Sequence, residues 1–393
     1  MPRKVPNKGL LILIVGAIAV ATIVGIRLFI FFPLEPADAV ILAGDYLERV
    51  VLPNGLFLYE VDAVTNDVSD NYNILRHAGT SYSMMELFEV TQRPTLLEAT
   101  QRALSYLEQQ AIPCPDFPDV LCLEEANEIK LGGNGLAILA FAKHAIVTGD
   151  QRYLDTAVGL AAWILKTQSF AGEFTKHKMF ANNAELDDFI SDYYPGEALF
   201  ALARLSAVMG DRRFIDAAHR GADWLINVRD AGKESADLNS DHWFLYALNE
   251  LHADQALEQY VVHTRKITDR IVNEQHWGLR GSKKDWNGGY GDPPRSTPAA
   301  TRSEGLAAAV RLFRRANDPV YEARAMTALD RSIPFQLRTQ MTPAKARRLA
   351  ADSISIGGFH ESLDEYSIRI DYVQHNLSAI LAYLKLKQDT SEQ

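Results

Sequence analysis

The thiol chemistry of this chain is confined to two cysteines among 393 residues. Cys114 and Cys122 share one short loop, CPDFPDVLC, with no histidine pair beside them, which excludes a zinc site built on them. The chain has no Gly-rich phosphate loop, no nucleophile elbow and no strong metal motif, and nothing in it calls for a cofactor. Basic charge is also short: 40 Lys+Arg stand against 50 Asp+Glu, a formal charge of −10. Residues 1–32 hold Arg3, Lys4, Lys8 and Arg27 and no acid, which leaves −14 on the remainder. So acidic a body lacks the basic footprint that a nucleic-acid partner requires.

Long apolar sequence is present in one place. Residues 1–8 (MPRKVPNK) are basic, and residues 9–32 are apolar apart from Thr22 and Arg27. About 24 residues at 1.5 Å rise span a bilayer. The basic flank precedes the span, so the positive-inside rule leaves Met1 in the cytoplasm and sends the body across as a single-pass, extracytoplasmic (periplasmic) domain of the cell membrane. A cleavable signal peptide is the rival reading, because Ala37-Asp38-Ala39 has the small-x-small form of a cleavage site. An oxidising compartment would permit a Cys114–Cys122 disulfide, and a cytosolic loop would leave two free thiols.

After a short linker at 33–36, helical hairpins recur. The segments 134–157, 195–218 and 304–325 each read as an Ala/Leu-rich helix, a Gly-Asp or Asn-Asp turn, and a second helix opening Asp-x-x-Tyr or Asp-x-x-Phe. Asp150, Asp211 and Asp318 stand where an N-cap carboxylate accepts orphan backbone N–H groups. Inner helices are predicted at 72–91, 134–148, 195–209, 241–252, 299–316 and 370–386. Outer helices are predicted at 94–110, 151–168, 212–228, 255–274 and 319–340. The amphipathic segment 37–51 supplies the missing outer partner, so the ring closes through its two termini. Gly-aromatic segments at 55–60, 172–178, 277–283 and 357–362 read as small strands or turns, and a tail follows at 389–393. Recurrence of this kind marks a closed or stacked helical array.

The hairpins, their TGD-x-x-Y/F turns and the YYPGEAL helix start resemble the (α/α)6-toroid carbohydrate-active superfamily over residues 37–388. That group includes six-hairpin glycosidases, unsaturated glucuronyl hydrolases, N-acylglucosamine 2-epimerases and the helical domain of glucuronyl C5-epimerases. The resemblance implies an all-α (α/α)6 toroid acting on a carbohydrate, neutral or acidic. No single family's catalytic motif is matched, so no family residue is carried over. Lanthionine cyclases share a related toroid, but their zinc ligands are not supplied at suitable positions.

In such a ring the loops leading into the inner helices form a cleft, and this is where the sequence switches from polar to apolar. Carbohydrate chemistry needs carboxylates for proton transfer, aromatics for sugar faces and arginine for an acidic substituent. The candidate catalytic residues are Glu197, Asp241, Glu304, Asp371 and His375. The candidate substrate-binding residues are Arg76, His77, Tyr193, Tyr194, His242, Trp243, Arg302 and Arg369. Each has a structural alternative. Glu197 suits a helix dipole, Thr301-x-x-Glu304 has capping-box spacing, and Asp241 suits an N-cap. Asp371 and His375 share a helix face, where the carboxylate would orient the imidazole. Hydrolysis by a carboxylate pair, epimerisation or elimination at a uronate, and a non-catalytic glycan- or protein-binding toroid in an export assembly all remain open on the sequence.

Overall fold

The computed structural model describes residues 34–349 and 353–391, so the basic N-terminus and apolar span at 1–32 lie outside the described residues. In chain order the main helices are α1 (Pro36–Val50), α2 (Ile74–Thr91), α3 (Pro94–Gln109), α4 (Leu131–Thr148), α5 (Leu154–Thr167), α6 (Tyr194–Met209), α7 (Arg212–Trp224), α8 (His242–Asp254), α9 (Glu258–Glu274), α10 (Ser296–Arg315), α11 (Pro319–Arg338), the short α12 (Pro343–Leu349) and α13 (Ile370–Ser391). Helices α2, α4, α6, α8, α10 and α13 form an inner ring in which each packs on the next and α13 returns to α2. Each inner helix is also packed by an outer one, and α1 takes that place beside α13 through Ala39, Ala43, Tyr46, Leu47 and Val50. The ring therefore closes through the two ends of the body. The last helix runs on to Ser391 instead of stopping before a tail.

Inner position explains composition. Helix α4 is apolar enough to meet a length-and-hydropathy test for a membrane span, yet 78% of that stretch is buried inside the ring. A helix apolar on all sides must have protein on all sides. Its Gly135 lets α6 approach closely: a Cβ there would stand 3.1 Å from the backbone carbonyl of Glu197.

One end of the ring is closed by short turns. Gly149 and Gly210 end α4 and α6 in the left-handed conformation. Asp211 caps α7 by accepting from Arg213 N, and Asp318 caps α11 by accepting from Tyr321 N. Asp150 accepts from Arg152 N in the same way, but its helix starts only at Leu154.

The other end carries the long loops, and here the fold departs from purely helical. A four-stranded antiparallel sheet runs in sequence order through β2 (Ala111–Pro113), β3 (Leu121–Glu125), β4 (Glu128–Lys130) and β5 (Lys178–Phe180), and β1 (Glu60–Asp62) pairs with β6 (Ser367–Arg369). Cys114 and Cys122 flank the β2–β3 turn and are joined as a disulfide, with Cα atoms 5.1 Å apart. A device recurs after the outer helices. Gln168, Gln275 and Gln340 each donate from Nε2 to a carbonyl of the next outer helix around the ring, those of Ala217, Ala328 and Ala39, at 2.9, 2.9 and 2.8 Å. Each also reaches the carbonyl of a nearby glycine, Gly172, Gly288 or Gly357. All three glycines have positive φ, and a Cβ at any of them would run into a backbone carbonyl of that neighbouring outer helix. Two of the Gly-aromatic segments, 172–178 and 357–362, thus hold joints that set one hairpin against the next, and the third joint glycine, Gly288, lies beyond the segment 277–283.

Candidate active site

All six inner helices bring their N-terminal ends to one open cavity of about 380 Å³. Arg76 comes from α2, Leu136 from α4, and Tyr193, Tyr194 and Glu197 from the start of α6. His242 and Trp243 open α8, Thr301 and Arg302 belong to α10, and Asp371, Gln374 and His375 open α13. Residues so far apart in sequence meet because the ring is parallel in function: every inner helix starts at the same end.

The centre of the site is a histidine–carboxylate unit. His375 Nδ1 lies 2.7 Å from Glu304 Oε2, and Tyr246 OH reaches Glu304 Oε1 at 3.5 Å. Glu304 is buried beneath the cavity and does not line it. The bond fixes the imidazole so that Nε2 is the atom available to the cavity. Burial opposes charge on His375, but the Glu304 carboxylate more than offsets this and holds the imidazole above the ordinary histidine range. Burial likewise lifts Glu304 to about 7, against the pull of His375. The two compete for a proton, and the direction that decides the chemistry is His375 raised.

His242 is the opposite case. Its ring meets that of His375 edge-on, with centroids 5.3 Å apart. Both of its nitrogens are buried without a hydrogen-bond partner, and Glu304 Oε2 is 3.9 Å away, too far for a hydrogen bond. Burial, then the charges on His375 and Arg302, hold its pKa well below the usual value. A neutral imidazole thus stands beside one that favours its proton. Trp243 packs against both rings, at 4.7 and 6.3 Å between centroids.

The carboxylates divide by environment. Burial, helped by the charge of Asp241, raises Glu197 to about 8, and its Oε2 has no partner. Asp241 caps α8 by accepting from Phe244 N at 3.0 Å, and burial raises it to about 7 although Arg229 pulls the other way. It does not line the cavity. Asp371 is ion-paired on both sides, by Arg76 Nε at 3.2 Å and by Arg369 Nε at 2.6 Å. It therefore does not orient His375, as the four-residue spacing suggested; that role falls to Glu304. Arg369 lies over the Tyr372 ring at 4.4 Å, outside the cavity.

Two other sequence expectations are corrected. His77 faces away from the mouth, hydrogen-bonded to Ala103 O at 2.9 Å and Tyr72 OH at 2.7 Å, with burial lowering it to about 4. Thr301 does not form a capping box with Glu304, because α10 begins earlier and Thr301 Oγ1 donates back to Thr297 O. Arg295, Thr297 and Ser240 also line the cavity; they flank the irregular loops before α8 and α10, where no periodicity marks them.

His242, Glu304 and His375 also present their ligand atoms within 4.8 Å of one another, a set able to hold a divalent ion. An ion there would have to displace the Glu304–His375 hydrogen bond. The cluster of Cys114, Asp116 and Cys122 offers no such set, since bridged sulfurs have no thiolate to give.

No family model matches the chain, and no curated protein matches it by sequence. Solved structures do match by shape. An alpha-1,6-mannanase from Salegentibacter sp. HEL1_6 superposes with a TM-score of 0.61 at 13% identity, covering 90% of this chain and 100% of its own. Cellobiose 2-epimerase from Bacillus thermoamylovorans gives 0.66 at 13% identity, covering 87% and 95%. An unsaturated glucuronyl hydrolase specific for heparin gives 0.58 at 13% identity, covering 90% and 98%. The chain shares the (α/α)6-toroid fold of these three proteins.

Proposed function

We propose that this protein is a carbohydrate-active enzyme that moves a proton at the carbon beside a sugar carbonyl, as a 2-epimerase or an aldose–ketose isomerase. Toroids of similar shape include a mannanase and a cellobiose 2-epimerase, so the fold does not choose between hydrolysis and proton transfer. The observation that carries the choice is the pairing of a neutral, unpartnered His242 with a Glu304-supported His375 at one cavity.

The reaction starts from the open-chain sugar. A neutral imidazole takes the C2 proton, the C2–H electron pair becomes the C1=C2 bond, and the carbonyl pair moves to O1. The imidazolium of the other histidine gives O1 its proton. For the epimer, O1 returns its proton to that second histidine, which delivers it to C2 from the opposite face, while the first histidine releases the abstracted proton to solvent. Protonation of C1, with O2 losing its proton, yields the ketose. Each step needs one imidazole in each protonation state, which the unlike surroundings of the two rings provide.

A second reading rests on Glu197. A carboxyl raised to about 8 that lines the cavity is protonated at neutral pH, as the general acid of a glycosidase must be, with the ion-paired Asp371 as its basic partner. The reading extends to location. The apolar stretch at 9–32 and the Cys114–Cys122 disulfide together support a membrane-anchored protein whose body acts on an exported or cell-surface glycan.

The test incubates the protein with D-glucose, D-mannose and cellobiose in deuterated water and follows the sugars by NMR. Deuterium entering C2 or C1 is expected. Release of free sugar from oligosaccharides, with no exchange on any reducing sugar, would move the assignment to the Glu197 hydrolase.

A further inference from the structure

The cavity of the proposed proton transfer is not alone. A second one of about 370 Å³ adjoins it and shares three wall residues with it, Arg295, Pro298 and Arg302. Its remaining wall comes from Tyr290 and the loop Gly291–Pro293 that follows. Resting on the proton-transfer reading, we infer that the substrate is at least a disaccharide. Its reducing unit occupies the histidine cavity, and an acidic unit, a uronate, occupies this second compartment.

Size gives the first half of the argument. Two neighbouring compartments of similar volume, both walled by Arg295, Pro298 and Arg302, suit two linked rings better than one. Charge gives the second. The walls common to both compartments carry two guanidinium groups in a chain of net charge −10. Arg302 is braced: its guanidinium lies 5.0 Å from the Tyr290 ring centroid, and it bonds Glu274 at 3.2 Å and Pro298 O at 3.3 Å. Arg295 is held by Glu361 at 3.1 Å. Neither Glu274 nor Glu361 lines either compartment, so the arginines present positive charge inward while their counter-charges stand behind them. Asp292 is the acid on this wall; its carboxylate is mostly exposed and lies 3.9 Å from Lys283 Nζ. Arg76, the other arginine of the main cavity, pairs with Asp371, which lines that cavity and offsets its charge there. The planar fork of arginine matches a carboxylate with two parallel N–H donors, which a hydroxyl cannot exploit as fully.

The test titrates the full chain, in detergent micelles, with cellobiose, its uronate counterpart glucuronosyl-β-1,4-glucose, and glucose. The uronate disaccharide is expected to bind roughly tenfold more tightly than cellobiose, the share of one charge-assisted hydrogen bond, and the preference should shrink as salt is raised. Arg295→Gln should bring the ratio of the two affinities close to one, with an unchanged melting temperature showing that the fold survives. Arg302→Met is the second variant, since it keeps an unbranched side chain in place and removes the guanidinium with its charge and its donors. Equal affinity for the two disaccharides, or a ratio unmoved in both variants, overturns the inference. Isotope exchange at C2 is read separately. Exchange on glucose alone that matches exchange on both disaccharides removes the second compartment and leaves the proton-transfer reading. A uronate preference that holds with no exchange removes the proton-transfer reading and leaves the compartment.

Discussion

The two ends of this ring solve different problems with the same residue types. At the closed end, Asp211 and Asp318 accept backbone N–H groups from the first turns of α7 and α11, and Arg213 and Arg265 neutralise them. At the open end, Glu197 and Asp241 each keep one buried oxygen with no partner, and Glu304 is spent on a histidine 71 residues away. A carboxylate that caps and pairs adds stability. One buried half-satisfied costs stability and persists where chemistry uses it. The comparison predicts that substitutions at the open end cost activity and spare or improve stability, and that those at the closed end do the reverse.

The largest effect should come from His375→Asn and His242→Asn. Each should lower solvent-isotope exchange by about 10²–10⁴-fold, the usual worth of a positioned acid or base, with little change in melting temperature. An unfolded variant would erase the contrast. On the proposed proton transfer, activity should also fall as pH rises through the raised pKa of His375, because the imidazolium assigned as donor is lost; the direction follows from the Glu304 contact. A pH–rate profile flat across neutral and mildly alkaline pH would break this assignment.

Glu197→Gln sharpens the same contrast through stability. Burial raises the folded-state pKa to about 8, above the ordinary carboxyl value. Its stability contribution is therefore complete below the unfolded pKa and is lost as pH rises through about 8. The amide has no charge to desolvate. At pH 9 the variant should be more stable than the parent by up to about 5 kcal/mol, since each pK unit is worth about 1.4 kcal/mol and burial raises the group from 4.5 to about 8, and near pH 4 the two should converge. Chemical denaturation at both values decides it; equal stability at pH 9 would mean that Glu197 finds a partner after all.

How far the sequence shows these ends also differs. The closed end is written locally: Gly-Asp turns, a cap, and an aromatic three residues on lie within a few positions, so the hairpins and the α1 closure can be read directly. The open end is written across the ring. Nothing near Glu304 points to His375, and the nearer acid at Asp371 is a decoy that two arginines occupy. His77 follows the polar Arg76 into a helix start, yet one residue of helical rotation turns it toward α3. The three-residue strands are too short for alternation to show. One local signal marks the joints: a glutamine follows the outer helices at Gln168, Gln275 and Gln340, each ahead of a glycine with positive φ.

That joint lies between the two extremes, since it sits at the open end but serves the frame. Gln340 is fully buried and bonds Ala39 O at 2.8 Å and Gly357 O at 3.1 Å, tying the last hairpin to α1. Gln340→Met keeps the volume and strands two buried carbonyls. The loss should be about 2–3 kcal/mol, the cost of leaving such groups unsatisfied. Exchange activity should persist at temperatures where the variant is folded. A loss of activity without a loss of stability would show that the joint also shapes the cavity.

The smallest effect belongs to the closed end proper. Asp318 Oδ1 accepts from Tyr321 N at 3.2 Å, and Oδ2 accepts from Arg265 Nε at 2.7 Å. Asp318→Ala removes the cap and the ion pair together, and Asp318→Asn removes only the charge. Loss of a cap costs about 0.5–2 kcal/mol, while a partly exposed ion pair contributes about 0–1 kcal/mol. The alanine variant should therefore be less stable by about 1–2 kcal/mol, and the asparagine variant should recover most of that difference. Both should exchange sugar protons at the parental rate, because Asp318 sits at the turn between α10 and α11 and the chemistry sits at the other end of α10. Should Asp318→Asn be as damaging as the alanine variant, the charge and not the cap holds that turn. Should either slow exchange while the fold is intact, the two ends are coupled along α10, and the division of labour between them fails.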